Sequence, residues 1–139
     1  MTVMNKTVDE TAARPPIVLI DEEADLLADL AVGLERSVPE LAQRLLTEID
    51  RAQIVAEHEL PASTVRLGSE VEFASDSTGR THMVKLVLPN QADPSQGAIS
   101  VLSPAGVALI GLSPGQSIEW PDSQGKERAL RVVAVRKPA

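Results

Sequence analysis

The spacing of apolar residues changes within this chain at about Pro61. Before Pro61 the apolar residues recur every three or four positions, which is the period of an amphipathic helix. After it they tend to alternate with other residues, as at Val65, Leu67, Val71 and Phe73, which is the period of a β-strand with one buried face. The sequence therefore predicts an α+β protein, with a helical part over residues 17–60 and a small antiparallel sheet with one short helix over residues 61–139.

The helical part is expected to be a short antiparallel hairpin. Asp21 can cap a first helix, and Ser37-Val38-Pro39-Glu40 has the composition of a capping box for a second. At about 1.5 Å per residue, each helix would be roughly 20 to 25 Å long. In the second helix the expected apolar stripe is Leu41, Leu45, Ile49, Ala52 and Val55 or Ala56, with Arg44, Glu48, Asp50 and Arg51 facing water.

Local composition, including capping residues, prolines and glycines, predicts the remaining boundaries. Residues 1–16 are polar and without a hydrophobic period, so we expect a disordered leader. Ser103 followed by Pro104 predicts the capped start of a short apolar helix, and Gly111 is placed to end it. Segments with turn composition are expected at residues 75–79, 93–97, 113–116 and 122–125.

Composition excludes several classes of function. The net charge of −7 would repel a phosphate backbone, and Phe73 and Trp120 are too few aromatic side chains for a base-stacking platform. Direct nucleic-acid binding is therefore not expected. The acidity fits either a basic protein partner or solubility alone. No stretch approaches the length of a membrane span or a signal-peptide core, so a cytoplasmic protein is expected.

No group of residues has the pattern of a catalytic or metal site. The chain has no cysteine. His58 and His82 lack the paired spacing that zinc sites use, so we expect both at the protein surface. Residues 21–25 are acidic but lack the spacing of a calcium loop, so we interpret them as a solvated helix start. Ser103 lies outside any nucleophile elbow. We expect no enzyme activity, no cofactor and no bound metal.

Two stretches resemble the C-terminal domain of the Gre transcript-cleavage factors. They are Val65-x-Leu67-Gly68-Ser69-x-Val71 and the run from Ile99 through Ser103-Pro104-Ala105-Gly106 to Gly111. Within that family, residues 48–53, Leu60-Pro61 and residues 117–120 are more similar to the Rnk-type regulators of nucleoside diphosphate kinase. The resemblance implies a short coiled-coil hairpin followed by an FKBP-like β domain.

The resemblance also implies a partner, bacterial RNA polymerase, at the rim of its secondary channel. The segment that would contact the polymerase is Leu102, Ser103, Pro104 and Ala105, with Leu102 where cleavage factors usually have an acidic residue. Cleavage factors carry Asp-x-x-Glu at the hairpin tip to help hold the catalytic magnesium. Here the tip has Glu35, Ser37 and Glu40, so Ser37 replaces the aspartate.

The favoured hypothesis is a non-catalytic polymerase-binding regulator that competes with cleavage factors. A working cleavage factor that uses Glu40 is one alternative, and a regulator of nucleoside diphosphate kinase is another. A prolyl isomerase is disfavoured, because fold alone does not carry function and this chain cannot build an aromatic-lined pocket.

Overall fold

The computed structural model describes residues 15–75, 79–121 and 127–138. Most of the predicted leader, and the predicted turns at 76–78 and 122–125, lie outside these ranges. The helices and strands are β1 (Val18–Ile20), α1 (Asp21–Leu34), α2 (Pro39–Arg51), β2 (Gln53–Val55), β3 (Glu70–Ser75), β4 (Thr81–Val87), β5 (Ala98–Ser100), α3 (Pro104–Leu109), β6 (Ser117–Pro121) and β7 (Glu127–Arg136). The predicted α+β class, with a helical hairpin followed by a mainly antiparallel sheet, is confirmed.

The predicted helix caps in the hairpin are wrong by one residue. α1 has Ile20 at its N-cap position, so Asp21 is the first helical residue. α2 has Val38 at its N-cap position, and no side chain caps it. Ser37 cannot form the predicted capping box because the end of α1 holds it: its N–H donates to the Leu34 carbonyl at 3.1 Å, and its hydroxyl points to the same oxygen at 3.4 Å.

A two-stranded parallel sheet joins the two ends of the hairpin. β1 pairs with β2, with Val18 opposite Gln53 and Ile20 opposite Val55. The sequence analysis assigned no strand here, because a three-residue strand is too short to show a period. The helices of the hairpin act as the crossover that parallel strands need. The base of the hairpin is therefore closed by backbone hydrogen bonds.

The larger sheet has five strands in the order β5-β4-β3-β7-β6. All neighbours are antiparallel except β4 and β5, which run parallel, so the sheet is mainly antiparallel as predicted, with one parallel pair that the sequence did not predict. Val65 and Leu67, also expected in a strand, lie in the connection before β3. Val65 is nevertheless fully buried, and its N–H donates to the Leu112 carbonyl at 2.8 Å.

One face of the sheet is covered and the other is open. α3 packs on the covered face, where Val71, Leu86 and Val132 are buried. We call the other side the open face, and its exposed side chains include Met83, Lys85, Glu70, Arg131 and Glu119. No helix in the part of the chain that the structure describes is long and apolar enough to cross a membrane.

Two glycines permit the close packing of α3. A Cβ atom on Gly106 would lie 2.3 Å from the Ser100 carbonyl oxygen, so this helix rests directly on the backbone after β5. Gly111 has a φ of +82°, which favours glycine, and it ends α3 as predicted. Its carbonyl accepts a hydrogen bond from Val18 at 3.1 Å, so the end of α3 also fixes the start of β1.

Candidate functional site

The predicted docking segment, Leu102 to Ala105, includes the end of the connection after β5 and the first two residues of α3, and all four residues are half-buried. The Ser103 hydroxyl accepts a hydrogen bond from the Gly106 N–H at 3.1 Å and donates one to the Ser100 carbonyl at 2.6 Å. The predicted helix cap at Ser103 is confirmed. Its hydroxyl is thus engaged within the fold, which agrees with the absence of a nucleophile motif around it.

A second serine holds the other end of the segment. The Ser100 hydroxyl accepts a hydrogen bond from the Leu102 N–H at 2.9 Å, and the Ser103 N–H donates to the Ser100 carbonyl at 2.9 Å. Pro104 fixes its own φ at the first position of α3. The backbone of the docking segment therefore has little freedom, and its partly exposed side chains are presented in one arrangement.

The docking segment also touches the hairpin. Val107 of α3 forms a small buried cluster with Ala31 of α1 and Leu45 of α2, and Leu102 packs against this cluster from the side. Leu46 and Ile49 of α2 pack against it as well, and both are only half-buried. The docking segment and α2 therefore pack on one shared cluster, a contact that the sequence did not predict.

The same cluster limits how far the hairpin projects. Ala31 lies in the last turn of α1, so contacts with α3 continue to within about one turn of the tip. Residues near the base, including Ala24 and Leu27, belong to the main core with Val65 and Leu109. The hairpin lies along the β domain for most of its length, and only its tip is free of it.

The tip residues are all exposed. Glu35 and Ser37 lie in the connection between the helices, and Glu40 is in the first turn of α2. Among the residues that the structure describes, no hydrogen bond or ion pair links them to the docking segment, and no three His, Asp or Glu side chains group together as a metal site would need. The structure does not bring the two predicted sites together.

One residue predicted to face water is buried. Glu48 is 3% exposed, and Arg51 donates to both of its carboxylate oxygens, at 2.9 and 2.7 Å. Arg51 also donates to the Pro15 carbonyl at 2.5 Å. The prediction was wrong because helical spacing alone does not show that a segment far along the chain covers this side of α2.

A second ion pair joins the hairpin to the β domain. The Arg66 guanidinium contacts the Glu23 carboxylate at 2.6 Å and Glu57 at 3.3 Å, and the Leu67 N–H donates to the other Glu23 oxygen at 3.2 Å. Burial lowers the pKa of Arg66, but its hydrogen bonds and attraction to both carboxylates outweigh this and raise that pKa on balance. Glu23 therefore has a structural partner and is not simply part of a solvated helix start.

The two histidines are both exposed, as expected. His58 lies in a 3₁₀ turn after β2, and His82 lies in β4, where its ring stacks on Phe73 with the centroids 5.3 Å apart. The sequence analysis expected surface positions for both, and the structure confirms this.

Comparison with known proteins gives matches along most of the chain. A family profile described as "Transcription elongation factor, GreA/GreB, C-term" matches residues 60–137. The regulator of nucleoside diphosphate kinase from Escherichia coli K12 is 33% identical over 121 residues, which cover 87% of this chain and 89% of that protein. Transcription elongation factor GreA from Rhizobium meliloti is 30% identical over 131 residues, covering 88% and 82%.

A solved structure supports the same grouping. The GreA/GreB transcription elongation factor from Nitrosomonas europaea superposes with a TM-score of 0.68 at 33% identity, covering 86% of this chain and 98% of that one. This similarity is too extensive to be limited to the β domain, so it includes the hairpin.

Proposed function

Because the chain belongs to the GreA/GreB family of transcription elongation factors, we propose that it is a non-catalytic regulator that docks on bacterial RNA polymerase. The docking site would be the rim of the secondary channel, and the docked protein would compete there with cleavage factors. Such a protein would act in the cytoplasm.

The main support for docking is the fixed conformation of Leu102 to Ala105. Hydrogen bonds through Ser100 and Ser103 hold this segment before any partner binds. A pre-ordered surface loses little conformational entropy on association, so more of the contact energy is available for affinity. Leu102 is a half-buried apolar residue that packs on the same cluster as Leu46 and Ile49, and its exposed part adds apolar surface of the kind found at the centre of protein interfaces.

The hairpin supports a role without cleavage. α1 has 14 residues and α2 has 13, so the arm is about 20 Å long at about 1.5 Å per residue. Most of that length lies against the β domain. Its tip has Ser37 where an aspartate would be needed, and Arg36 stands between Glu35 and Glu40 in sequence. A single suitably placed carboxylate is a weak ligand set for magnesium, which is bound through carboxylates together with other oxygens.

The name of the Escherichia coli relative favours a second candidate function, the regulation of nucleoside diphosphate kinase. We propose that any such effect is indirect and acts through transcription. Binding of this protein to purified nucleoside diphosphate kinase, in the absence of polymerase, would favour the direct alternative.

Replacing Leu102 with alanine is expected to weaken binding to purified core RNA polymerase about tenfold. This is the effect of removing an apolar contact worth about 1.4 kcal/mol from the centre of an interface. Met83→Ala is the matched control, because Met83 is 52% exposed on the open face of the sheet. Binding can be measured by fluorescence anisotropy, with unlabelled GreA as competitor. Equal loss of affinity in both variants, or no binding by the unchanged protein at low salt, would refute docking through this segment.

Transcript cleavage tests the second half of the proposal. Stalled elongation complexes mixed with this protein are expected to show no shortening of the transcript beyond the intrinsic rate, and Glu40→Ala is expected to behave identically. GreA in the same assay provides the positive control. If the protein shortened the transcript and Glu40→Ala abolished the effect, it would be a working cleavage factor.

A further inference from the structure

The outward side of α1 is an unpartnered helix face that combines acidic and apolar residues. Ala24, Leu27 and Ala31 are buried and turn this helix toward the core, so the positions on the opposite side face solvent. We call this exposed side the α1 acidic face. It consists of Asp21, Glu22, Asp25, Leu26, Asp29 and Val32, and α1 has no basic residue.

The charges on this face are not balanced within the part of the protein that the structure describes. Asp21, Asp25 and Asp29 follow one another at i, i+4 spacing, which places like charges side by side on the helix. None of them forms an ion pair with a described residue, whereas Glu23, on the inner side, is held by Arg66. The helix dipole favours carboxylates in the first turn only, so it accounts for Asp21 but not for Asp29.

Two large apolar side chains flank these carboxylates. Leu26 is 38% exposed and Val32 is 60% exposed, the highest value among the exposed large hydrophobic residues that the structure describes. Neither packs in the core clusters. When a surface of opposite charge covers such a face, the repulsion between the carboxylates is reduced and the exposed apolar groups are removed from water. Both changes favour binding.

We infer that the α1 acidic face is a second contact with RNA polymerase and takes a basic protein surface, in which lysine or arginine side chains meet Asp25 and Asp29 around an apolar residue. This inference rests on the proposed function. Charge selects the occupant: a nucleic acid would be repelled by the carboxylates. A second copy of this chain, with its net charge of −7, offers no excess of positive charge to meet them.

The test measures the affinity of the full chain for purified core RNA polymerase at several salt concentrations. The variant is Asp25→Asn/Asp29→Asn, and the control is Glu70→Gln/Glu119→Gln, which removes the same charge from the open face of the sheet. Glu70 makes only a loose 3.8 Å pair with Arg136, and Glu119 is exposed. We expect the α1 variant to bind about 3- to 10-fold more weakly at low salt, consistent with losing two exposed ion pairs, with a smaller loss at high salt.

Three results separate this inference from the proposed function. If both double variants bind polymerase as the unchanged protein does, or lose affinity equally, the inference is wrong and docking through Leu102 stands. If the unchanged protein does not bind, the proposed function itself fails. A loss confined to the α1 variant supports the inference, and Leu26→Gln should then weaken binding further. Thermal denaturation serves as the folding check, because removing repelling charges should leave Tm unchanged or slightly raised.

Discussion

Replacing Gly106 with alanine is expected to reduce the free energy of unfolding by about 3 kcal/mol, the upper end of the usual cost of overpacking. The added Cβ would lie 2.3 Å from the Ser100 carbonyl oxygen and 2.8 Å from the Val101 Cα. Both atoms belong to the backbone, so no flexible side chain can move aside. The clash would push α3 away from the sheet and disturb Val107 and Leu109, which are fully buried.

Gly33→Ala is the matched control, because the two substitutions are chemically identical. Gly33 is exposed near the end of α1, and a Cβ there would meet no atom within 4 Å. Alanine should stabilise the protein at that position by about 0.5 to 1 kcal/mol, since glycine in a helix costs conformational entropy. Urea unfolding monitored by circular dichroism measures both changes. A Gly106→Ala protein as stable as the unchanged one would show that α3 does not rest on the Ser100 backbone as described.

Gly106 also shows what the sequence analysis could and could not predict. The run from Ser103 to Gly111 was sufficient to predict a capped, short, apolar helix, because caps, proline and terminal glycine act over a few residues. Nothing in that run explains why a glycine, Gly106, lies inside the helix. The reason is a contact with Ser100 and Val101, which depends on how the chain folds back after β5.

The same distinction explains the other successes and errors. The change of hydrophobic period correctly predicted two long helices followed by a larger sheet, and the Gre-family resemblance is confirmed by both the family profile and the Nitrosomonas structure. The β1–β2 pair, the parallel β5 and the Glu23–Arg66 pair were missed, since each joins segments distant in sequence. The boundary at residue 60 between the hairpin and the β domain remains a prediction.

For the candidate site, the sequence identified the segment but not its surroundings. Leu102 was predicted as part of the docking segment without any contact to the hairpin, and in the structure it packs on the same small cluster as Leu46 and Ile49 of α2. A substitution that shifts α2 should therefore alter the docking surface without touching Leu102. The Glu48–Arg51 ion pair, which lies on α2, is therefore expected to affect the geometry of the docking surface as well as stability.

Arg51→Met is expected to reduce the free energy of unfolding by about 3 to 5 kcal/mol, the usual cost of leaving a buried charge without its partner. The Glu48 side chain is 4% exposed and Arg51 contacts both of its oxygens, so little water can replace the guanidinium. The variant would also lose the hydrogen bond to the Pro15 carbonyl, which ties the segment before β1 to α2. Urea unfolding compares it with Arg44→Met, an arginine on the same helix without an ion pair to any described residue. Arg44→Met should change stability by about 0.5 kcal/mol or less.

The double variant Glu48→Leu/Arg51→Met separates the unpaired charge from the lost packing. If the cost of Arg51→Met comes from the stranded Glu48 carboxylate, removing that carboxylate should restore most of the lost stability, because an apolar pair of similar volume often replaces a buried ion pair at no net cost. If the double variant is as unstable as Arg51→Met, the cost comes instead from the lost contacts of Arg51 other than Glu48, among them its hydrogen bond to Pro15. If stability is restored, the affinity of the double variant for polymerase shows whether Leu46 and Ile49 still pack on the cluster that Leu102 contacts when this ion pair is absent.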